Sequence, residues 1–162
     1  MLFAPRTARM NAMDSAPILI GYDGSEEAAR AVDVAAALFG ARRSVVLAVE
    51  PPMTQAETYL VMSSAASGLD VEEVNNSEAL ARAGEGADRA RRAGLVADAQ
   101  SRLVSPAWEG IVAVADETDA AVIVVGSRDH KGIRERLEAS TAHQVAVHAG
   151  RPVLIVPQHA SS

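Results

Sequence analysis

Two stretches limit the fold of this chain more than anything else in it: Ala-Val-Ile-Val-Val-Gly at residues 121–126 and Pro-Val-Leu-Ile-Val-Pro at residues 152–157. Each is a short, unbroken run of aliphatic, mostly β-branched residues. A strand with one wet face alternates apolar and polar side chains. A strand covered on both faces has no polar side to show and stays apolar throughout, the habit of parallel sheets with helices above and below. Five runs read as strands: Pro17–Gly21, Ser44–Val49, Val96–Val104, Ala121–Gly126 and Pro152–Val156. The third alternates (Val96, Asp98, Gln100) and so suits a more exposed edge.

Helical sequence fills the gaps. Ser25 is an expected N-cap, followed by Glu26 and Glu27 where a helix dipole favours acids. Ala28, Val32, Ala35, Ala36 and Phe39 share a face, and Gly40 closes the helix. Ser105-Pro106 predicts an N-cap followed by proline at the first helical position, with Trp108, Ile111, Val112 and Ala115 at helical spacing. A last helix covers about 140–149. Between Pro51-Pro52 and about Leu69 the chain reads as a long loop. A helix over about 71–93 follows, weakened in its middle by Gly84 and Gly86. The order β-α-β-α-β-α-β-α-β implies right-handed crossovers and a doubly wound α/β sheet. Residues 17–158 are read as one domain, 1–16 as a flexible tail and 159–162 as a short tail.

Composition narrows the function. The chain has 162 residues, no cysteine and a net charge of −6. Thiolate metal sites and disulfides are excluded, a reducing, cytoplasmic setting is the simpler expectation, and the charge disfavours a nucleic-acid surface. No apolar run approaches the roughly 20 residues of a membrane span. Only 3% of residues are aromatic, so Ala, Val, Leu and Ile must build the core. Lys131 is the single lysine.

Doubly wound sheets bind ligands beyond the carboxyl ends of their strands, where the winding reverses. The loops to inspect are 22–25, 49–52 and 126–140. The first reads Ile-Gly-Tyr-Asp-Gly-Ser at 20–25. Asp23 there is suited to accept hydrogen bonds from a ribose or an adenine amino group; equally, it is suited to cap its own turn. The third reads Gly-Ser-Arg-Asp-His-Lys-Gly-Ile-Arg-Glu-Arg-Leu-Glu-Ala-Ser-Thr at 126–141. A glycine, a basic stretch and Ser140-Thr141 at a helix start suit a phosphate; Ser140 as a plain N-cap beside solvated arginines explains the same residues.

Several chemistries lack their residues. No Gly-x-x-x-x-Gly-Lys-Ser/Thr, Gly-x-Gly-x-x-Gly or Gly-x-Ser-x-Gly is present, which removes P-loop, dinucleotide and nucleophile-elbow readings. Asp23-Gly24-Ser25 resembles a haloacid dehalogenase-type strand end, but that chemistry needs a second aspartate where Gly21 stands. His143 and His148 lie about 140° apart on a helix and cannot share a metal. His130 and His159 are expected in solvent. Trp108 is expected as a core or interface anchor more than a ligand-stacking ring. Arg82, Arg89, Arg91 and Arg92 are expected on a solvated face.

Tyr-Asp-Gly-Ser at 22–25, Val-Glu-Pro-Pro at 49–52, Ser-Pro-Ala-Trp-Glu at 105–109, Ala-Val-Ile-Val-Val-Gly-Ser-Arg at 121–128 and His-Ala-Gly-Arg-Pro-Val-Leu-Ile-Val-Pro at 148–157 together resemble the universal stress protein family over about residues 17–157. The resemblance implies an adenine nucleotide alpha-hydrolase-like sheet of order 3-2-1-4-5, paired into a homodimer through the C-terminal strand, about Pro152–Val156. It implies adenine near Gly21, Tyr22, Asp23 and the backbone of Val49, and ribose and phosphates against Val125, Gly126, Arg128, Ser140 and Thr141. Members that bind ATP, with Mg, look like Gly-x-x-Gly, nine residues, then Gly-Ser or Gly-Thr. Here Gly126 and Ser140 match, while Asp129 and Ala139 replace the second and third glycines, and Lys131 and Glu135 stand where other loop glycines are common. Asp129 puts a negative charge where a polyphosphate would lie, so AMP or cyclic AMP suffers less than ATP. The implied role is a non-enzymatic, stress-linked regulatory module binding an adenine nucleotide. The alternatives are a homodimeric interaction protein without a nucleotide and a weak ATP hydrolase.

Overall fold

The structure is a computed structural model, and it describes residues 15–64, 71–127 and 140–158. Five strands appear: β1 (Ile18–Gly21), β2 (Arg43–Glu50), β3 (Val96–Leu103), β4 (Val122–Ser127) and β5 (Val153–Pro157). Helices α1 (Glu26–Phe39), α2 (Gln55–Ser64), α3 (Val71–Arg92), α4 (Ala107–Glu117) and α5 (Thr141–His148) connect or flank them. All strands are parallel, in the order β3-β2-β1-β4-β5. Ile18, Leu19 and Ile20 of the central strand face Ser44, Val45 and Val46 on one side and Val122, Ile123 and Val124 on the other.

Strand alternation divides the core in two. Ile18, Ile20, Val46 and Val124 point to the face covered by α1 and α3; Leu19, Val45, Leu47, Ile123 and Val125 point to the face covered by α4 and α5. The strands supply the bulk, and α1 and α3 supply small residues. Ala28, Ala31, Ala35 and Ala36 of α1 are buried, as are Ala79, Ala83, Ala87 and Ala90 of α3. A chain nearly free of aromatics fills its core by bringing alanine-faced helices close to a Val/Ile sheet.

The local signals explain most of the elements. Ser25 caps α1, its Oγ accepting from Ala28 N at 3.2 Å, and Gly40 (φ 62°) ends it. Gly86 lets α3 lie against β2 and the Tyr22 ring just past β1: a Cβ there would fall 2.7 Å from Tyr22 Cγ and 2.8 Å from Val46 Cγ1. The glycine expected to weaken the helix is thus what allows it to dock. β3 is an edge strand, as its alternation predicted.

Three expectations need correction. The stretch after Pro52 is not loop throughout, because α2 occupies Gln55–Ser64. Its start was legible as a capping box, Thr54-Gln-Ala-Glu57: Thr54 Oγ accepts from Glu57 N at 3.3 Å, and Glu57 Oε2 accepts from Thr54 N at 2.8 Å. Pro106 is the N-cap of α4 rather than its first helical residue; its extended backbone (φ −77°, ψ 156°) puts the helix start at Ala107. Arg92 of α3 is exposed as expected, but three other arginines of that helix are paired rather than simply solvated. Arg82 pairs with Glu50, Arg91 with Asp88 at 2.7 Å, and Arg89 makes two bonds to Asp33 at 2.8 and 2.6 Å. The Asp33 bond holds the Arg89 guanidinium pKa above its already high ordinary value.

Candidate functional site

The winding reverses between β1 and β4. The chain leaves β1 towards one face through α1, while α5 covers the other face. A cleft opens at that point, beyond the carboxyl ends of β1, β2 and β4. It is lined by Gly21, Tyr22, Asp23 and Ser25 after β1, Glu27 and Ala28 of α1, Leu47 and Val49 of β2, Ala107 and Ile111 of α4, Val125 and Gly126 of β4, and Thr141 and Ala142 of α5.

Each wall has a local cause. Gly21 ends β1, and Tyr22 N donates to Leu47 O at 2.9 Å, carrying the loop one residue past the strand. Gly24 follows with φ 81°, a backbone turn that glycine accepts without strain. The Tyr22 ring is half-buried between the cleft and α3. Val49 is held from behind by α4, where a Cβ on Gly110 would lie 2.9 Å from Val49 Cγ1. Gly126 is the tightest point. A Cβ on it would lie 2.6 Å from the carbonyl carbon and oxygen of Glu27 and 2.9 Å from Ala28 N. Gly126 therefore has a packing duty: it lets the first turn of α1 rest on the end of β4, which fixes the width of the cleft.

Two helix N-termini, those of α1 and α5, meet at the cleft from opposite faces of the sheet. Free N–H groups and dipole ends of this kind favour an anion or a polar oxygen. Among the described residues, the charged side chains in the lining are Asp23 and Glu27, both acidic. Asp23 is exposed, and its Oδ1 accepts from Ser25 N at 3.0 Å, so the turn-capping reading holds. Ser140 likewise caps α5, its Oγ accepting from His143 N at 3.1 Å. An aspartate oxygen that orders its own turn is also an oxygen fixed in place at the cleft mouth.

Of the residues singled out in the sequence, Gly21, Tyr22, Asp23, Val49, Val125, Gly126 and Thr141 come together in this lining. Ser140 sits one residue before it, at the cap. Arg128, Asp129, Lys131 and Ala139 lie outside the described residues. Glu27, Ala28, Ala107, Ile111 and Ala142 were not singled out. Glu27 and Ala28 were within reach of sequence reasoning, because the first turn after β1 must face a switch-point ligand. Ala107, Ile111 and Ala142 carry no signal beyond helical spacing. Trp108 is not in the lining: it packs on the α4/α5 core and stacks on His148, ring centroids 4.5 Å apart. No group of three or more His, Cys, Asp or Glu with metal-binding geometry occurs among the described residues.

Comparison with known proteins agrees with this architecture. A universal stress protein solved in complex with cAMP is 24% identical, with a TM-score of 0.62 and coverage of 89% of this chain and 98% of that one. A universal stress protein from Archaeoglobus fulgidus in complex with dAMP is 22% identical, with a TM-score of 0.58 and coverage of 88% and 98%. A family protein from Arabidopsis thaliana with AMP bound is 12% identical, with a TM-score of 0.60 and coverage of 90% and 93%. At these identities the likeness speaks for the fold. No curated protein matches the chain. The sequence model for the universal stress protein family matches residues 15–157, which span all five strands and the cleft between them, and the chain therefore belongs to the universal stress protein family.

Proposed function

We propose that this protein is a non-enzymatic regulatory module of the stress response that binds an adenine mononucleotide in the cleft between β1 and β4. The observation that carries the reading is the convergence of Gly21, Tyr22, Asp23, Val49, Val125, Gly126 and Thr141 on one cleft at the winding reversal of the sheet. In this reading adenine lies against Val49 and the Gly21–Tyr22 backbone. The ribose hydroxyls donate to Asp23. The phosphate lies towards the α5 N-terminus at Ser140-Thr141, with Arg128 as its cation. The neighbours of the same fold that hold cAMP, dAMP and AMP support an adenine nucleotide as the ligand class.

Charge argues for a mononucleotide over ATP with Mg. The lining already holds the carboxylates of Asp23 and Glu27, and Asp129 follows in the sequence of the phosphate loop. Each added phosphate brings negative charge towards these groups. The chain is further proposed to be cytoplasmic and to pair as a homodimer through β5, which bonds to β4 on one side only and exposes Ile155 at 39%. Unpaired parallel edges of this kind seek a partner. Among the described residues no helix is long and apolar enough to cross a membrane.

Titration calorimetry with AMP, cyclic AMP, ADP and ATP–Mg tests the ligand. Heat with AMP or cyclic AMP, lost in Asp23→Ala, is expected. The absence of heat with all four would overturn the nucleotide reading. Phosphate release under excess ATP tests the non-enzymatic assignment, and light scattering on a sizing column tests the dimer.

A further inference from the structure

Consecutive residues at the end of β2 lead to two different places. Val49 lines the nucleotide cleft, whereas Glu50 lines a separate open groove of about 410 Å³ between the Pro51-Pro52 turn, α2 and α3. The groove has apolar walls from Pro52, Met53, Leu60 and Val61. It also carries Glu50, Glu57 and Glu78. Arg82 neutralises Glu50, and two acids are left. The hydrogen bonds from Thr54 hold the Glu57 carboxyl below its usual range, so it stays ionised. Glu78 makes no ion pair among the described residues and is exposed. Asn75, only 9% exposed, lines the same groove; its Nδ2 donates to Pro51 O at 3.1 Å, which leaves its side-chain oxygen as a further acceptor.

Helix α2 leaves large apolar side chains exposed, and of these Leu60 lines the groove. On α2, Tyr59 is 72% exposed, Leu60 64% and Met62 66%. This helix packs mainly on α3 and takes no part in either core. Exposed apolar surface rimmed by charge, as Leu60 is by Glu57 and Glu78 in the groove, marks an interaction surface. We propose that the α2–α3 groove is a docking surface for a basic amphipathic segment of a partner protein. The segment inserts a lysine or arginine between Glu57, Glu78 and the Asn75 oxygen, and lays its apolar face on Met53 and Leu60. Charge decides among occupants. A second copy of this chain carries a net charge of −6, and nucleic acid and anionic membrane surfaces are also negative, so all three are repelled by the acids that attract a basic segment. The inference does not depend on the nucleotide reading.

The probe is a fluorescein-labelled 15-residue peptide of leucine and lysine patterned as an amphipathic helix, with an all-lysine peptide of equal charge beside it. Fluorescence anisotropy is read at physiological salt with the full chain. The leucine–lysine peptide is expected to bind in the micromolar range. Leu60→Ser and Glu57→Gln/Glu78→Gln should each weaken it by about tenfold or more, and the all-lysine peptide should bind far less. Glu78→Lys reverses a charge with no structural bond lost and should do the same, with an unchanged melting curve. Asp98→Asn/Glu85→Gln removes equal charge from exposed positions outside the groove and should leave binding within about twofold. Equal losses in this control would show general charge attraction and overturn the proposal. So would the absence of binding to the parent, or a fall in oligomer mass on Leu60→Ser, which would assign the face to a second copy.

Discussion

Replacing Gly126 by alanine probes the contact that sets the width of the cleft. The added Cβ lies 2.6 Å from the Glu27 carbonyl carbon and oxygen and 2.9 Å from Ala28 N. Non-bonded heavy atoms settle at about 3.5–4.0 Å, so β4 and the first turn of α1 must part by roughly 1 Å. All three opposing atoms are backbone, so no rotamer change relieves the overlap. Overpacking of this kind costs about 1–3 kcal/mol, and a backbone-on-backbone clash belongs at the upper end. At about 2–4 °C per kcal/mol for a chain of this length, Tm should fall by about 6–12 °C. Gly84→Ala is the matched control. It lies inside helix α3, where nothing sits within 4 Å of its Cβ, and alanine should raise stability by about 0.5–1 kcal/mol. Circular dichroism melts and urea titrations of both variants read the difference. Gly126→Ala melting with the parent, while Gly84→Ala behaves as stated, would refute the close approach of α1 to β4 as the reason for glycine here. If the cleft binds AMP, Gly126→Ala should also weaken it, since Glu27 and Ala28 move with the helix.

Ser25→Ala removes the α1 cap, in which Oγ accepts from Ala28 N, and should lower stability by about 1 kcal/mol in urea unfolding. Asp33→Ala breaks the two bonds to Arg89 in an exposed pair, so its effect should stay below about 1 kcal/mol and shrink further in high salt. The Glu57 carboxyl is held below its ordinary value, first by the backbone bond from Thr54 and then by the hydroxyl bond. Its contribution to the start of α2 is therefore fully present above the ordinary carboxylate range and lost as pH falls through the lowered folded value. Amide exchange or chemical shifts at Thr54–Thr58 should report fraying on acidification, and Glu57→Gln should remove that pH dependence. A profile unchanged by Glu57→Gln would place the transition elsewhere.

How much could be read in advance follows from how local each cause is. Of the strands, β4 was legible because burial on both faces removes polar residues, a condition written into Val122–Val125, β5 by its unbroken aliphatic run Val153–Val156, and β3 by its alternation. Ser25, Gly40 and Ser140 were legible because caps satisfy groups within four residues. The capping box of α2 was equally local, at Thr54 and Glu57, but the small, polar look of the stretch hid it. The cleft was only half legible. Asp23, Val49 and Gly126 stand at strand ends, where topology alone directs attention. Ala107, Ile111 and Ala142 reach it from helices whose sequence says only that one face is apolar.

By itself the sequence determined the parallel α/β class, the element order, the acidic cysteine-free character and the switch-point loops, because each depends on residue type within a short window. The tertiary structure decided what the contacts mean. Gly86 and Gly126 look like flexible or phosphate-loop glycines in one dimension; in three they are the points where helices touch the sheet too closely for a Cβ. Arg82 and Arg89 look like solvated charge until Glu50 and Asp33 arrive from elements 32 and 56 residues away. Pairing at that separation depends on the crossover geometry of the whole sheet, and no local pattern of residues encodes it.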